Sequence, residues 1–416
     1  MTPQAGAVRS ADIGLRARAH FKVFVPPGRP EGAVGFSEEE FAPDAIQPQT
    51  WGIAETPASL ACLYGQTAAT TGCNPTTLPT TKVATGGSKA IAIVDAYDYP
   101  TAASDLAKFS AQFGLPAPTA STFTVTWPST KPTPDPACEV YGGYNCWALE
   151  SALDIEMAHS MAPKAHIYLV EAKSNSYTDL FTAAFQAVQL VAAAGGGEVS
   201  MSWGGPEFSA ETSYDTQIKA LLPPGVTFFA STGDSWGVEF PSASPFVVAV
   251  GGTTISRNPA TLVYQGEIAW EDGGGGLSKY EPRPTFQNGI ATTLGNHRGV
   301  PDVAAVANPR TGVWVYDSFY TTYIVNGTPT PEPWNIIGGT SVASPLFAGI
   351  ANRSGHFNGA SAELTGIYTV LANSTMYGAD YRDVVYGTCG FYQGWMAGKG
   401  WDPCTGIGSP WGTAGK

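Results

Sequence analysis

From residue 89 onward, short continuous apolar runs alternate with segments whose apolar residues recur every three or four positions. The runs predict strands over 89–97, 165–172, 198–204, 225–232, 246–255 and 312–317, and the periodic segments predict helices over 101–113, 146–161, 177–195 and 211–221. Strands that are apolar along their whole length, separated by amphipathic helices, belong to a mostly parallel sheet with helices on both faces. The expected fold is therefore α/β and doubly wound. Residues 1–55 are rich in Pro and Gly and hold no period, so they read as a poorly structured linker or the remnant of a prosegment, leaving 56–416 as one large domain.

The net charge is −13 although only 13% of the 416 residues are charged. An acidic balance argues against a nucleic-acid partner. Few ion pairs are lost when carboxylates protonate, which suits an acidic medium. No apolar run reaches the roughly 18 residues that a membrane span needs, so no membrane crossing is expected. Six cysteines fall as sequential neighbours, Cys62 with Cys73, Cys138 with Cys146 and Cys389 with Cys404, with no CxxC and no adjacent His. Local disulfides, an oxidising compartment and hence secretion are expected in preference to zinc.

The stretch GGTSVASP (338–345) reads as a glycine turn opening a helix, which exposes Ser341 where a helix dipole and free N–H groups favour developing negative charge. Thr340 and Ser341 equally suit a helix cap. A serine nucleophile needs a base, and none of His20, His159, His166, His297 and His356 sits in a recognisable catalytic motif. The helix over 146–161 instead carries Glu150 and Asp154 four positions apart on one face; His159 is turned half a revolution away. Two close carboxyls in a dry site share a proton, so one of them can serve as base. A solvated acidic face is the other reading of this pair. The strand 225–232 runs into Gly233-Asp234 at the carboxyl end of the sheet, where parallel α/β sheets build their sites. A protonated Asp there donates to an oxyanion, whereas an ordinary Gly-Asp turn needs no such role.

The ordered motifs E-x-x-x-D-x-E (150–156), S-x-S-W-G (200–204), S-T-G-D (231–234), G-G-T-S-x-A-x-P (338–345) and A-G-x-G-W-D-P-x-T-G-x-G (397–408) are similar to those of the sedolisin family, serine-carboxyl peptidases with a subtilisin-like fold. That resemblance implies Ser341 as nucleophile, Glu150 as general base and acid, Asp154 as its orienting partner and Asp234 at the oxyanion. It also implies a supporting role for Asp95 and Trp203, substrate pairing along Ser202, Trp203 and Gly204, and a cleft lined by the glycine run 273–276. One structural calcium is implied at Asp383, Asp402 and the carbonyls of Val384, Gly398 and Gly400, since six oxygen ligands including a water make a sensible calcium shell. Because Glu has an ordinary pKa of ~4.3 against ~6.5 for His, an acid optimum follows.

The expected protein is a secreted, monomeric zymogen-type peptidase acting on proteins or peptides, with internal cleavage favoured over removal of tripeptides. Family members carry a long N-terminal prosegment as inhibitor and folding aid, and residues 1–55 are too short to be all of one. The alternatives are a His-dependent subtilisin, which lacks its H-G-T motif here, and an inactive calcium-stabilised binding module of the same fold.

Overall fold

The computed structural model describes residues 16–24, 54–68, 70–136, 138, 146–235, 237–319, 322–325, 328–331, 333–390 and 394–416. The first half runs through β1 (Arg18–Ala19), β2 (Lys22–Val23), α1 (Pro57–Leu63), β3 (Ala90–Ala96), α2 (Ala102–Phe113), β4 (Phe123–Thr126), α3 (Trp147–Met161), β5 (His166–Ala172) and α4 (Tyr177–Ala193). There follow β6 (Gly197–Met201), β7 (Trp203–Pro206), α5 (Thr212–Leu221), β8 (Val226–Ser231), β9 (Glu239–Phe240), β10 (Val247–Arg257), β11 (Tyr264–Ala269), β12 (Val303–Val306), β13 (Val313–Tyr316), β14 (Trp334–Gly338) and α6 (Thr340–Ser354).

Eight strands form the central sheet in the order β11-β10-β8-β6-β3-β5-β4, with β12 also pairing on β10. Every pairing in it is parallel except that of β10 with β11. All seven residues of β3 are buried, as a strand covered on both faces requires. The predicted strands and helices are present within two residues at their ends. The exception is 198–204, which breaks at Ser202: β6 stays in the sheet, while β7 leaves it to pair with β1 and β9.

Helix α3 is buried at all fifteen positions, packed between the sheet and α6. A helix with no solvent face keeps its acids out of water, so Glu150 and Asp154 do not form a solvated stripe. Helix α4 covers β3, β5 and β6. Part of the stretch read from sequence as poorly structured is ordered: β1 pairs with β7 and β2 pairs with β14, threading residues 16–24 across the carboxyl end of the sheet.

Candidate active site

Strand β14 ends at Gly338, and the chain enters α6 through Gly339, whose φ of 110° falls where glycine is favoured. A Cβ at this position would collide with the His20 carbonyl and stand 2.6 Å from Asp234 Oδ2. Ser341 lies in the first turn of α6, fully buried. Pro345 sits deeper in the helix than its sequence context suggests, and the carbonyl of Ser341, deprived of the usual i+4 donor, receives the Ser202 hydroxyl at 3.4 Å instead. Asp234 is fastened to the same turn, since Thr340 donates to its Oδ1 from both N–H (2.7 Å) and hydroxyl (2.9 Å). Its Oδ2 is buried without a partner. Gly274 N–H donates to the Gly233 carbonyl at 2.8 Å, which sets the predicted glycine run against this turn.

Glu150 and Asp154 on α3 and Asp95 on β3 gather behind Ser341, each completely buried. Burial pushes all three carboxyls upward, Asp95 to about 7, and repulsion among them adds to the rise for Glu150 and Asp154. The nearby Ser341 hydroxyl works against that rise at Glu150. That hydroxyl is turned toward the Ser202 carbonyl at 3.2 Å, and no hydrogen bond of ordinary length reaches either Glu150 oxygen. Asp234 is likewise pushed up by burial, to about 6, against the pull of His20 and Lys22. Trp203 donates from its indole to the Val94 carbonyl at 2.8 Å and packs edge-on against Tyr177 and Phe181, bracing the strand that bears Asp95.

The cleft in front of these residues holds the chain's own N-terminal segment. Arg18 lies opposite Gly204 and Ala19 opposite Trp203 in an antiparallel ribbon, and Lys22 and Val23 lie opposite Gly338 and Ile337. Between the two ribbons, the His20 carbonyl accepts the Ser341 N–H at 3.0 Å. The His20 N–H points at both Ser341 Oγ (3.1 Å) and the Ser202 carbonyl (3.3 Å). The His20 ring faces away from Ser341, with Nδ1 2.7 Å from Ser231 Oγ and Nε2 2.9 Å from Glu239 Oε2. Arg18 bonds the other Glu239 oxygen and, at 2.7 Å, Ser235 Oγ. Burial acts to raise Glu239, yet Arg18 and His20 together bring it down to about 2.

The structure brings Ser341, Glu150, Asp154, Asp234, Asp95, Ser202, Trp203 and Gly204 to one cleft, together with His20, Arg18 and Glu239, which the sequence reading did not assign to it. A signal existed: Arg16, Arg18, His20 and Lys22 cluster in a chain of net charge −13. His159 is buried and bonded to the Pro116 carbonyl at 2.9 Å, away from the site, as its helical phase predicts.

The cysteines pair as Cys62–Cys73, Cys138–Cys146 and Cys389–Cys404. Near the last of these, Asp383 accepts the Gly400 N–H at 3.1 Å and Asp402 accepts the Gly398 N–H at 3.1 Å, so both carboxyls converge on one loop. Among the described residues no three His, Cys, Asp or Glu side chains converge on a metal. Asp383 and Asp402 carry the oxygen donors that a hard cation takes, and Asp402 also accepts from Cys404 and Thr405. No described helix is long and apolar enough to cross a membrane.

A mostly parallel sheet ringed by helices, with a serine at the mouth of a buried helix, defines a subtilisin-like α/β protein. Residues 139–388 match the family model described as the subtilase family. The chain belongs to that family, and within it to the sedolisin group. It is 32% identical to kumamolisin of Bacillus sp. (strain MN-32), over 78% of this chain and 59% of that protein. Sedolisin of Pseudomonas sp. (strain 101) is 27% identical over 81% of this chain and 60% of its own length. The chain thus spans about three fifths of these relatives. A Pseudomonas sedolisin, solved with pseudo-iodotyrostatin, shares the fold with a TM-score of 0.64 at 23% identity, covering 86% of this chain and 96% of that one.

Proposed function

We propose that this chain is a serine-carboxyl peptidase that cleaves peptide bonds through a Ser341 acyl-enzyme and works in acid. One observation carries the reading: the His20 carbonyl accepts the Ser341 N–H at 3.0 Å beside the unpaired Asp234 oxygen, as a scissile carbonyl would. Glu150 takes the Ser341 proton as Oγ bonds to the carbonyl carbon, and Asp154, backed by Asp95, holds Glu150 in place. Protonated Asp234 and the Ser341 N–H stabilise the oxyanion. Glu150 then gives its proton to the leaving amine as the C–N bond breaks, and water releases the acyl group through the same steps.

Coupled carboxyls ionise in turn, and the first proton leaves at the lowest pH, so one carboxylate base coexists with protonated neighbours in acid. Asp234, pushed up to about 6, keeps its donated proton below that pH. The segment extends in paired form on both sides of His20, which favours internal cleavage over tripeptide removal. In this reading Arg16–Phe24 is a substrate-like inhibitory segment, and Glu239 selects basic side chains at the residue before the cleaved bond and two residues earlier.

A structural calcium at Asp383, Asp402 and the carbonyls of Val384, Gly398 and Gly400 would supply a cross-link within the C-terminal loops. Three disulfides support secretion. The deciding experiment is digestion of a denatured protein at pH about 4, below the ordinary range of a histidine base. Ser341→Ala and Glu150→Gln are each expected to lose about 10³-fold or more. Undiminished hydrolysis in either variant would falsify the assignment.

A further inference from the structure

On the far side of the nucleophile the cleft holds a second charged contact, which the reading above does not use. Lys22, two residues past the His20 carbonyl, places Nζ 2.7 Å from Asp272 Oδ2 and 5.0 Å from the centroid of the Trp270 ring. Its backbone is fixed opposite Gly338, so the register that sets His20 at Ser341 also sets the lysine at this point. The Lys22 side chain is only 13% exposed and that of Asp272 is 37% exposed, so the aliphatic stem lies against protein and the ammonium emerges beside a carboxylate at the rim.

The ring beneath is rigid. Trp270 is 1% exposed, its backbone N–H donates to the Gly252 carbonyl at 3.1 Å, and a Cβ at Gly252 would stand 2.8 Å from its Cε3. An aromatic face fixed below and a carboxylate at one edge match a long side chain that ends in a cation.

We infer that Trp270 and Asp272 form a recognition site for a basic side chain at the second residue beyond the cleaved bond, on the leaving-group side. This site is separate from Glu239, which meets the residues before the bond. The inference rests on reading Arg16–Phe24 as substrate-like, and it adds that the enzyme reads charge on both sides of the bond it cuts. Substrates with Lys or Arg at that position are favoured, and acidic ones are disfavoured because their charge would face Asp272.

The test uses quenched peptides of sequence RARAHFXVF, with X as Lys, Ala or Glu, on the wild type, Asp272→Asn and Asp272→Lys. In the wild type the Lys peptide is expected to exceed the Ala peptide in kcat/KM by about three- to tenfold, the range of a rim ion pair joined to a cation–π contact. The ratio should fall to about one in Asp272→Asn, shrink with added salt, and invert in favour of Glu in Asp272→Lys. Ratios within one variant do not depend on how much of it is folded. Equal rates for all three peptides in the wild type, or a lysine preference untouched by Asp272→Asn, overturn the site while leaving the peptidase intact. Absence of Ser341-dependent cleavage after the histidine overturns the underlying reading, and this inference with it.

Discussion

Glu239→Gln tests how the cleft recognises charge. Glu239 is 2% exposed and meets both His20 and Arg18. Burial works to raise its carboxyl, yet the two basic side chains bring it from 4.5 to about 2. The fall from 4.5 to about 2 corresponds to about 3 kcal/mol of net stabilisation of the carboxylate, after the cost of burial. The Arg18 side chain is 29% exposed, so water screens part of this and roughly 2 kcal/mol remains. Glutamine keeps the shape and an acceptor but loses the charge.

In Glu239→Gln the preference for RARAHFKVF over the same peptide with Ala and Leu in place of its second Arg and its His is expected to fall about 30-fold in kcat/KM. The sign with pH follows from a depressed carboxyl: the contribution is complete above about 4.5 and is lost as pH falls toward about 2. Stopped assays across that range measure it. A ratio unchanged by the substitution, or a preference that grows on acidification, would refute the ion-pair account.

Two further outcomes are expected. Asp234→Asn keeps a neutral donor beside the carbonyl at every pH, so it should retain acid activity while losing the decline that the wild type shows as Asp234 ionises above about 6; Asp234→Leu should lose about 10²–10³-fold throughout. A wild-type pH profile in the Asn variant refutes the proton's role. For the C-terminal loops, a chelator is expected to lower the melting temperature by several degrees, on the order of 2–3 kcal/mol, and Asp402→Asn to abolish that sensitivity. A melting temperature indifferent to both rules out bound calcium there.

The central strands and helices were legible because full burial leaves a continuous apolar record, and Glu150 with Asp154 was legible because helical phase needs only spacing. Strands β4 and β11 were not, because polar residues break their four and six positions, and β12 was not, because it is only four residues long. The break at Ser202 also escaped notice, since an apolar stretch does not record that its second half pairs with a different partner. His20 escaped for a related reason: its place is set by backbone pairing across 321 residues to Ser341, and a Pro- and Gly-rich flank conceals a segment that becomes a strand only against another strand.

The seat of the carbonyl oxygen is hollowed out where Gly339 lacks a methyl group. Every L-amino acid would put its first carbon into that hollow, so the position admits no graded series of variants, large or small. Natural drift and laboratory tuning of reactivity are thereby steered to Asp234, whose carboxyl borders the hollow, and to Thr340, which holds that carboxyl in place.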